Sequence, residues 1–301
     1  MDSAREVFGI LKSEMKTIRD TMSVYQSQSK LLMLRKLMSS PMIGIATWLI
    51  ESNRRTLRLK TSTFWGDKIG VVIPESGSVS IANSGVLEPP LTKLMLQYIQ
   101  NEMTTLDIGA HFGYYTLLMS HLVGPAGQVH AFEPTPSTFS VLLSNVRNLP
   151  NVVANRVACS SKRGTAFLSE YGFKFSGFNT LAKPRMKELG RGKPVEVQTL
   201  RVDDYVTSRG IKPDFIKIDA EGTEGEILNG MENVIRSFHP MISLEVGDFV
   251  TDAIPSRELI EHLLAMNYVA FEYRNGVIAH HRARRTYGYD NILLVPKNRL
   301  D

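Results

Sequence analysis

The stretch Leu106-Asp107-Ile108-Gly109-Ala110-His111-Phe112-Gly113 decides the fold of this chain. It closes an apolar, β-prone run, and a helical pattern begins directly after it. The two glycines let the backbone turn sharply and let a ligand come close, because no Cβ stands in the way. Free N–H groups at the start of the helix can bind a pyrophosphate or a carboxylate. The stretch therefore predicts a ligand-binding turn in an α/β fold.

Strand and helix patterns alternate over the residues around this turn. Strands are predicted at residues 105–108, 128–132, 152–157, 214–218, 241–246, 268–273 and 292–295. Helices are predicted at residues 114–122, 136–146, 225–237 and 257–266. Such alternation is typical of βαβ units and a mainly parallel sheet. No long helical pattern lies between the last two strands, so these are predicted to pair antiparallel.

Three further elements are predicted ahead of the turn. Residues 5–38 carry an apolar stripe at spacings of three and four, which predicts an amphipathic helix. Residues 69–73 and 78–82 flank the turn-like Pro74-Glu75-Ser76-Gly77, which predicts a β-hairpin. Pro89 and Pro90 open another predicted helix, since proline is tolerated in the first helical turn.

Composition and charge divide the chain into a basic extension, residues 1–60, and a main domain, residues 61–301. The net charge of +5 comes entirely from the extension, so no nucleic-acid partner is expected for the main domain. One cysteine excludes an internal disulfide and fits a reducing cytoplasm. No signal peptide is apparent, and the uncharged run at 37–50 is too short to span a bilayer. The extension is expected to pack on the domain, to form a homodimer, or to make a peripheral contact with an acidic membrane surface.

Two acids distinguish the glycine turn from a dinucleotide site. Asp107 stands two residues before the first glycine, where it would repel a pyrophosphate but can bind an α-ammonium group. Glu133 ends the next predicted strand, where an acid accepts hydrogen bonds from ribose hydroxyls. Together the two acids predict a cofactor that joins an amino acid to a nucleoside, as S-adenosylmethionine does.

Three more acids are expected at the same edge of the sheet. Asp219 and Glu221 follow the strand at 214–218, and Glu245 ends the next one. Methyl transfer to an alcohol needs a base for the hydroxyl proton, which these carboxylates can supply directly. Alternatively, Asp219 and Glu221 hold a divalent ion such as Mg²⁺. No Asn-Pro-Pro-Tyr-like segment follows this strand, which favours an oxygen acceptor over a planar amino group.

These residues together resemble the FkbM family of methyltransferases. The resemblance covers residues 86–294 and rests on Leu87-Glu88-Pro89, on 106–116, on Ala131-Phe132-Glu133-Pro134, on 199–204 and on 216–224. It implies a class I (Rossmann-like) methyltransferase fold with a seven-stranded, mostly parallel sheet. It also implies methyl transfer to oxygen, commonly on sugars, polyketides or related metabolites. His111 departs from the asparagine often found there, while the glycines and acids are retained.

The predicted site residues follow from these motifs and from the resemblance. Cofactor-binding positions are Glu88, Asp107, Gly109, Ala110, His111, Gly113, Tyr114, Tyr115, Thr116, Glu133, Pro134, Ala158 and Asp219. Catalytic positions are Asp219, Glu221 and Glu245. Phe178, Asn179 and Glu221 are predicted to bind the substrate, because an aromatic ring beside polar groups suits a sugar. The long stretch 169–195 that carries Phe178 and Asn179 shows little periodicity; the alternative is a loop that packs its own small core.

Several alternatives stay open from the sequence. Two basic clusters are either solvated faces or a site for an acidic glycan or glycolipid. They are Arg282, Arg284 and Arg285, and Lys183, Arg185, Lys187, Arg191 and Lys193. The seven histidines show no zinc-ligand spacing, so no zinc site is expected. A nucleic-acid methyltransferase and a non-catalytic cofactor-binding scaffold are the competing functions.

Overall fold

The computed structural model describes residues 55–182, 191–248, 253–274 and 276–300, together with Ile50 and Val250. The helix predicted at 5–38, and Lys183, Arg185 and Lys187 of the basic cluster, lie outside the described residues. The first strand, Leu57–Ser62, spans the predicted boundary at residue 60.

The described chain alternates strands and helices from Thr104 onward. The strands are β1 Leu57–Ser62, β2 Lys68–Ile73, β3 Thr104–Ile108, β4 Gln128–Phe132, β5 Val152–Asn155, β6 Ala158–Cys159, β7 Gly164–Glu170, β8 Lys193–Leu200, β9 Phe215–Ile218, β10 Met241–Val246, β11 Tyr268–Arg274, β12 Val277–His280 and β13 Asp290–Pro296. The α-helices are α1 Ser76–Ser84, α2 Pro89–Tyr98, α3 Tyr114–Val123, α4 Pro136–Val146, α5 Val202–Arg209, α6 Glu224–Asn229, α7 Glu232–Phe238 and α8 Ser256–Ala265. Two short 3₁₀ helices lie at Phe173–Phe178 and Lys297–Arg299.

The main sheet has eight strands in the order β12-β11-β13-β10-β9-β3-β4-β5. Strands β10, β9, β3, β4 and β5 run parallel, while β13 pairs antiparallel with β10 and β11. This confirms the mostly parallel α/β sheet and its antiparallel end. The sheet exceeds the predicted seven strands because Val277–His280 adds an edge strand against β11. The parallel arrangement brings the carboxyl ends of β3, β4, β9 and β10 to one edge of the sheet.

Each face of the sheet buries an apolar core. Residues of α2, α3 and α4, such as Leu94, Leu118 and Leu142, pack on one face. Residues of α5, α6, α7 and α8 pack on the other, with Val206 and Ile260 as examples. Strand side chains alternate between the two faces, as the pleat requires. This double cover holds the strand ends in fixed positions.

The predicted β-hairpin at 69–82 is wrong. Ser76–Ser84 forms helix α1, and β2 pairs instead with β1. The carboxylate of Glu75 accepts hydrogen bonds from the backbone N–H groups of Gly77 (2.7 Å) and Ser78 (2.5 Å), which caps the helix. Ser78 and Ile81, three residues apart, form the buried side of the helix. The apolar alternation over residues 78–82 therefore indicated the period of a strand, whereas the buried residues follow the period of a helix.

The helix predicted at 225–237 divides into α6 and α7. Gly230 lies at the break, where a Cβ would come within 2.1 Å of the Ser160 carbonyl oxygen. The close backbone contact leaves no room for a side chain there. The bounds of β4, β10 and α4 match the predicted ones.

A second sheet occupies part of the stretch predicted as a long loop. Strands β6, β8 and β7 form three strands in that order, with β6 parallel and β7 antiparallel to β8. Within the residues described, no helix is both long and apolar enough to cross a membrane.

Candidate active site

A cavity of about 350 Å³ opens at the carboxyl ends of β3, β4 and β9. Its volume is within the range usual for small-molecule sites. Most of the predicted site residues line it, namely Glu88, Gly109, Ala110, His111, Tyr114, Tyr115, Glu133, Pro134, Ala158, Phe178, Asn179, Asp219, Glu221 and Glu245. Asp107, Gly113 and Thr116 do not line the cavity.

The glycine turn is shaped by the protein's own packing. Gly109 has φ +76°, and a Cβ there would lie 1.7 Å from the carbonyl oxygen of Asp219. Gly113 has φ +88°, and its Cβ would lie 2.6 Å from Leu142 Cδ1. Both glycines have the left-handed backbone of the predicted sharp turn, and the close approach of a ligand stays a prediction. The contact of Gly109 with the end of β9, and that of Gly113 with α4, also leave no room for a Cβ.

Glu133 presents a fixed carboxylate to the cavity. Its Oε1 accepts hydrogen bonds from Thr135 N–H (2.9 Å) and the Thr138 hydroxyl (2.7 Å). Its Oε2 accepts one from the N–H of His111 (3.0 Å). The ring Nε2 of His111 lies 2.7 Å from Ser176 Oγ, which ties the glycine turn to the 3₁₀ helix. An oriented carboxylate in this place is suited to bind a diol.

An apolar wall adjoins Glu133. Phe132, Ala158, Cys159 and Leu168 are all buried and line the cavity. Burial raises the pKa of the Cys159 thiol far above its usual value, so this cysteine stays protonated and is no nucleophile. The wall can hold a flat aromatic ring.

Asp107 is buried behind the cavity and paired with Lys217. The side chain of Asp107 is fully buried, and its Oδ2 accepts a hydrogen bond from the Thr116 hydroxyl (2.6 Å). Its Oδ1 lies 3.5 Å from Lys217 Nζ. The structure thus contradicts the expectation that Asp107 binds an α-ammonium group. Its carboxylate balances a lysine of its own chain.

Lys217 is a functional residue that the sequence analysis missed. It is 1% exposed, and its Nζ lies 3.0 Å from Asp219 Oδ2 and donates to the Gly109 carbonyl (3.2 Å). Burial opposes its charge, but Asp219 and Asp107 together raise the pKa of Lys217 above its usual value. The detectable signal was a lysine inside an otherwise apolar strand.

Asp219, Glu221 and Glu245 form an acid cluster on the cavity wall. Each offers a carboxylate oxygen, and these three atoms lie within 4.8 Å of one another. Burial raises the pKa values of Glu221 and Glu245 well above their usual range, and the charge of Asp219 adds to the effect. For Asp219 burial is the largest influence and acts in the same sense, but Lys217, the hydrogen bond with Glu245 and His111 together outweigh it and lower the pKa. The ionised form is therefore favoured at Asp219, and the protonated form is favoured at its neighbours Glu221 and Glu245.

The loop after β9 carries Asp219 and Glu221, and its hydrogen bonds fix their positions. Glu221 has φ +52°, and its carbonyl accepts a hydrogen bond from the Thr180 hydroxyl (2.7 Å). Glu224 Oε1 accepts from the N–H groups of Ala220 (3.0 Å) and Gly222 (3.2 Å). Glu224 therefore shapes the loop at the start of α6 instead of joining the cluster. A strained non-glycine backbone of this kind is typical of functional sites.

Glu88 closes the far side of the cavity together with Tyr289. Its Oε2 accepts a hydrogen bond from the Tyr115 hydroxyl (2.8 Å), and its Oε1 accepts one from the Tyr289 hydroxyl. Tyr289 was missed, since it lies far along the chain in a segment without a motif. Glu75, which also lines the cavity, was missed because its segment was expected to be a hairpin turn.

The described members of the basic clusters do not line the cavity. Arg284 forms ion pairs with Glu272 and with Asp290, the latter at 3.0 Å. Arg282, Arg285 and Lys193 have exposed side chains. The solvated-face interpretation therefore fits these residues better than an acceptor site.

Comparison with known proteins adds to this geometry. The sequence model of the Methyltransferase FkbM domain matches residues 107–273. The chain is 28% identical over 157 residues to the hexuronic acid methyltransferase AglP of Haloferax volcanii, which is 52% of this chain and 61% of that protein. It is 32% identical over 156 aligned residues to the 31-O-demethyl-FK506 methyltransferase FkbM of Streptomyces tacrolimicus. That alignment covers 42% of this chain and 58% of that protein. The chain spans about three fifths of the length of these curated relatives.

Among solved structures, the methyltransferase FkbM from Methylobacillus flagellatus KT aligns with a TM-score of 0.42 at 16% identity. The alignment covers 64% of this chain and 43% of that one. The family match itself covers more than half of the chain and contains the glycine turn, Glu133 and the acid cluster. The chain belongs to the FkbM methyltransferase family.

Proposed function

We propose that the protein is an S-adenosylmethionine-dependent O-methyltransferase, whose acceptor is a hydroxyl of a sugar-containing or polyketide-like molecule. The observation that carries this proposal is that one cavity contains both Glu133 and the acid cluster. Glu133 is suited to bind a ribose, and the acid cluster is suited to accept the proton of an acceptor hydroxyl. Both lie at the carboxyl ends of parallel strands, where ligands of such sheets bind.

The residues of the cavity fit the cofactor. Beside its three protein donors, Glu133 keeps one lone pair, on Oε2, for a ribose hydroxyl. Phe132, Ala158 and Leu168 offer an apolar surface for the adenine ring. Acids at the opposite side complement a cationic methionine moiety. When bound, the cofactor supplies a methyl group on a positively charged sulfur.

Glu221 is the best candidate for the base. Lys217 holds Asp219 ionised at 3.0 Å, so Asp219 is a weak proton acceptor that orients its neighbours. A cation bound in the cavity lowers the pKa of Glu221, which then gives up its own proton and can take one from an acceptor hydroxyl. A base whose pKa lies near neutrality works better than one with a depressed pKa.

The alternative is that the acid cluster binds Mg²⁺, which would then acidify the acceptor hydroxyl. Three carboxylate oxygens within 4.8 Å of one another suit a hard divalent ion. We favour the direct base because Asp219 already shares its charge with Lys217. A divalent ion would have to compete with that ammonium group.

The acceptor is proposed to be neutral. Among the described residues that line the cavity, six are acids and two are lysines. The acids are Glu75, Glu88, Glu133, Asp219, Glu221 and Glu245, and the lysines are Lys174 and Lys217. Even without Glu221 and Glu245, whose pKa values are raised, four acids outnumber the two lysines, which disfavours an anionic sugar and a nucleic acid. Phe178 offers a ring on which the apolar face of a sugar or macrolide can stack.

The oxygen acceptor and the role of residues 1–60 are considered separately. The name of one relative specifies a 31-O-demethyl substrate, which supports oxygen as the methyl acceptor here. The homodimer or membrane contact through residues 1–60 stays a prediction.

Replacing Glu221 by glutamine is expected to slow methyl transfer by about 100-fold, because the amide cannot take the hydroxyl proton. The assay follows labelled methyl from S-adenosylmethionine onto a panel of neutral glycosides and macrolide alcohols, with the product analysed for a methyl ether. Binding of S-adenosylhomocysteine by this variant is expected to stay near that of the wild type.

Glu258→Gln is the matched control, since Glu258 is an exposed acid on α8 away from the cavity. It is expected to retain the wild-type rate. Methyl found on nitrogen or carbon would overturn the proposed oxygen acceptor. An unchanged rate in Glu221→Gln would remove Glu221 as the base.

A further inference from the structure

The α-ammonium group of a bound cofactor needs an acid, and the glycine turn has none to offer. Asp107 is fully buried behind the cavity and holds Lys217. The carbonyl of Gly109, the other acceptor in this turn, already accepts a hydrogen bond from Lys217 Nζ (3.2 Å). Both acceptors therefore already lie against the ammonium group of Lys217, and Asp107 does not line the cavity.

Three cavity acids lie outside the acid cluster. Glu133 is assigned to the ribose and Glu75 caps α1, which leaves Glu88. Its backbone is held at φ +39° and ψ +76°, a left-handed conformation that is costly for a non-glycine residue. The next two residues are prolines that open α2, so the chain fixes the direction of the carboxyl. Such strain persists only where surrounding structure enforces it.

Two phenols from separate segments of the chain orient the Glu88 carboxyl. Tyr115, on α3, donates to Oε2 at 2.8 Å, and Tyr289 donates to Oε1. Each carboxylate oxygen keeps a lone pair for another donor. Tyr115 also places its ring 5.4 Å from Lys217 Nζ, which links this carboxyl to the glycine turn.

We propose that Glu88, oriented by Tyr115 and Tyr289, binds the α-ammonium group of the cofactor's methionine moiety in place of Asp107. This inference rests on the proposed function. It assigns a role to two residues, Glu88 and Tyr289, that both lie outside the 107–273 family match. The bond between them joins segments 201 residues apart in sequence, so the cavity is complete only when both segments are folded.

The charge state of Glu88 gives the proposal a distinct signature. Burial raises the pKa of Glu88 to about 7, and Asp219 adds to the rise, while Tyr115 and Lys217 oppose it. An ammonium ion bound to the carboxylate lowers that pKa again. Binding should therefore release protons near pH 7 and strengthen as the pH rises from 6 to 8.

The test compares S-adenosylhomocysteine with its deaminated analogue, which keeps the carboxylate but carries hydrogen in place of the amino group. Both are titrated calorimetrically into wild type and Glu88→Gln. The variant is expected to bind S-adenosylhomocysteine about 10- to 100-fold more weakly, the size of one charge-assisted hydrogen bond. Its affinity for the deaminated analogue should change by less than about 2-fold.

Glu75→Gln serves as the control, because Glu75 is another buried acid on the same wall. Any change in affinity caused by Glu75→Gln should be the same for S-adenosylhomocysteine and for the deaminated analogue. If Glu88→Gln weakens both ligands equally, or neither, the assignment of Glu88 is overturned. Failure of the wild type to bind S-adenosylhomocysteine at all would instead overturn the proposed function.

A measurement on the wild type alone does not depend on how well a variant folds. The titrations are repeated at pH 7 in two buffers of different ionisation enthalpy. S-adenosylhomocysteine is expected to release protons on binding, and the deaminated analogue to release fewer. Equal proton release by the two ligands would contradict the role of Glu88.

Discussion

The Gly109→Ala variant is expected to lose measurable binding of S-adenosylhomocysteine and more than about 3 kcal/mol of stability. Two costs add. The backbone at φ +76° is strained for any residue with a Cβ, by about 1–2 kcal/mol. The new Cβ would also lie 1.7 Å from the Asp219 carbonyl oxygen, so the turn and the end of β9 must separate. That movement displaces Asp219 and Lys217 from each other and from the cavity.

Gly210→Ala separates the two costs. Gly210 follows α5 with φ +62°, and a Cβ there meets nothing within 4 Å. It should lose only about 1 kcal/mol and bind the ligand as the wild type does. Denaturant unfolding and calorimetry of both variants make the comparison. Equal losses in the two variants would show that the contact with Asp219 is not what requires glycine at position 109.

The Lys217→Met variant is expected to be destabilised by about 3–5 kcal/mol at neutral pH. It leaves the buried Asp107 and the partly buried Asp219 without their shared cation. In the wild type the lowered pKa of Asp219 contributes stability above pH 4, and this is lost as the pH falls through its folded-state pKa. Without the lysine, burial remains as the largest influence on Asp219 and raises its pKa, so stability falls as the pH rises above 4. The difference between the two proteins should therefore grow from pH 4 to pH 8.

Adding Asp107→Asn and Asp219→Asn to Lys217→Met should restore most of the loss, because no buried charge is then unpaired. Arg257→Met is the surface comparison. Its pair with Glu261 is about half-exposed and 2.8 Å long, and such pairs contribute less than about 1 kcal/mol. A Lys217→Met protein as stable as Arg257→Met at pH 8, measured by urea unfolding, would contradict the role given to the buried lysine.

The sequence predicts the part of the site that depends on local patterns. Glycines next to a strand end, and an acid at the end of the following strand, are each visible within a few residues. One rule, that parallel strands end at a common edge, then suffices to bring Glu133, Asp219 and Glu245 into one cavity. The bounds of β4 and β10 follow because each is a short, mostly apolar run of the kind typical of buried strands.

The missed features depend on contacts between distant segments. Asp107 faces Lys217 only because β3 and β9 are neighbours in this register, which no local pattern fixes. For the same reason the sequence gives no sign that Tyr289 contacts Glu88. Helix α1 was mistaken for a strand because the five residues 78–82 are too few to distinguish the strand period from the helix period. The edge strand Val277–His280 is only four residues long and mostly exposed, so it carries little pattern at all.

The central claim is that the cavity at the strand ends binds S-adenosylmethionine through Glu133. The most direct test is a calorimetric titration of S-adenosylhomocysteine into the wild type, beside Glu133→Gln and the exposed control Glu258→Gln. We expect one site per chain in the wild type and in Glu258→Gln. In Glu133→Gln we expect about 10- to 100-fold weaker binding, because an amide replaces the charged acceptor of a ribose hydroxyl. No binding by the wild type, or undiminished binding by Glu133→Gln, would contradict the claim.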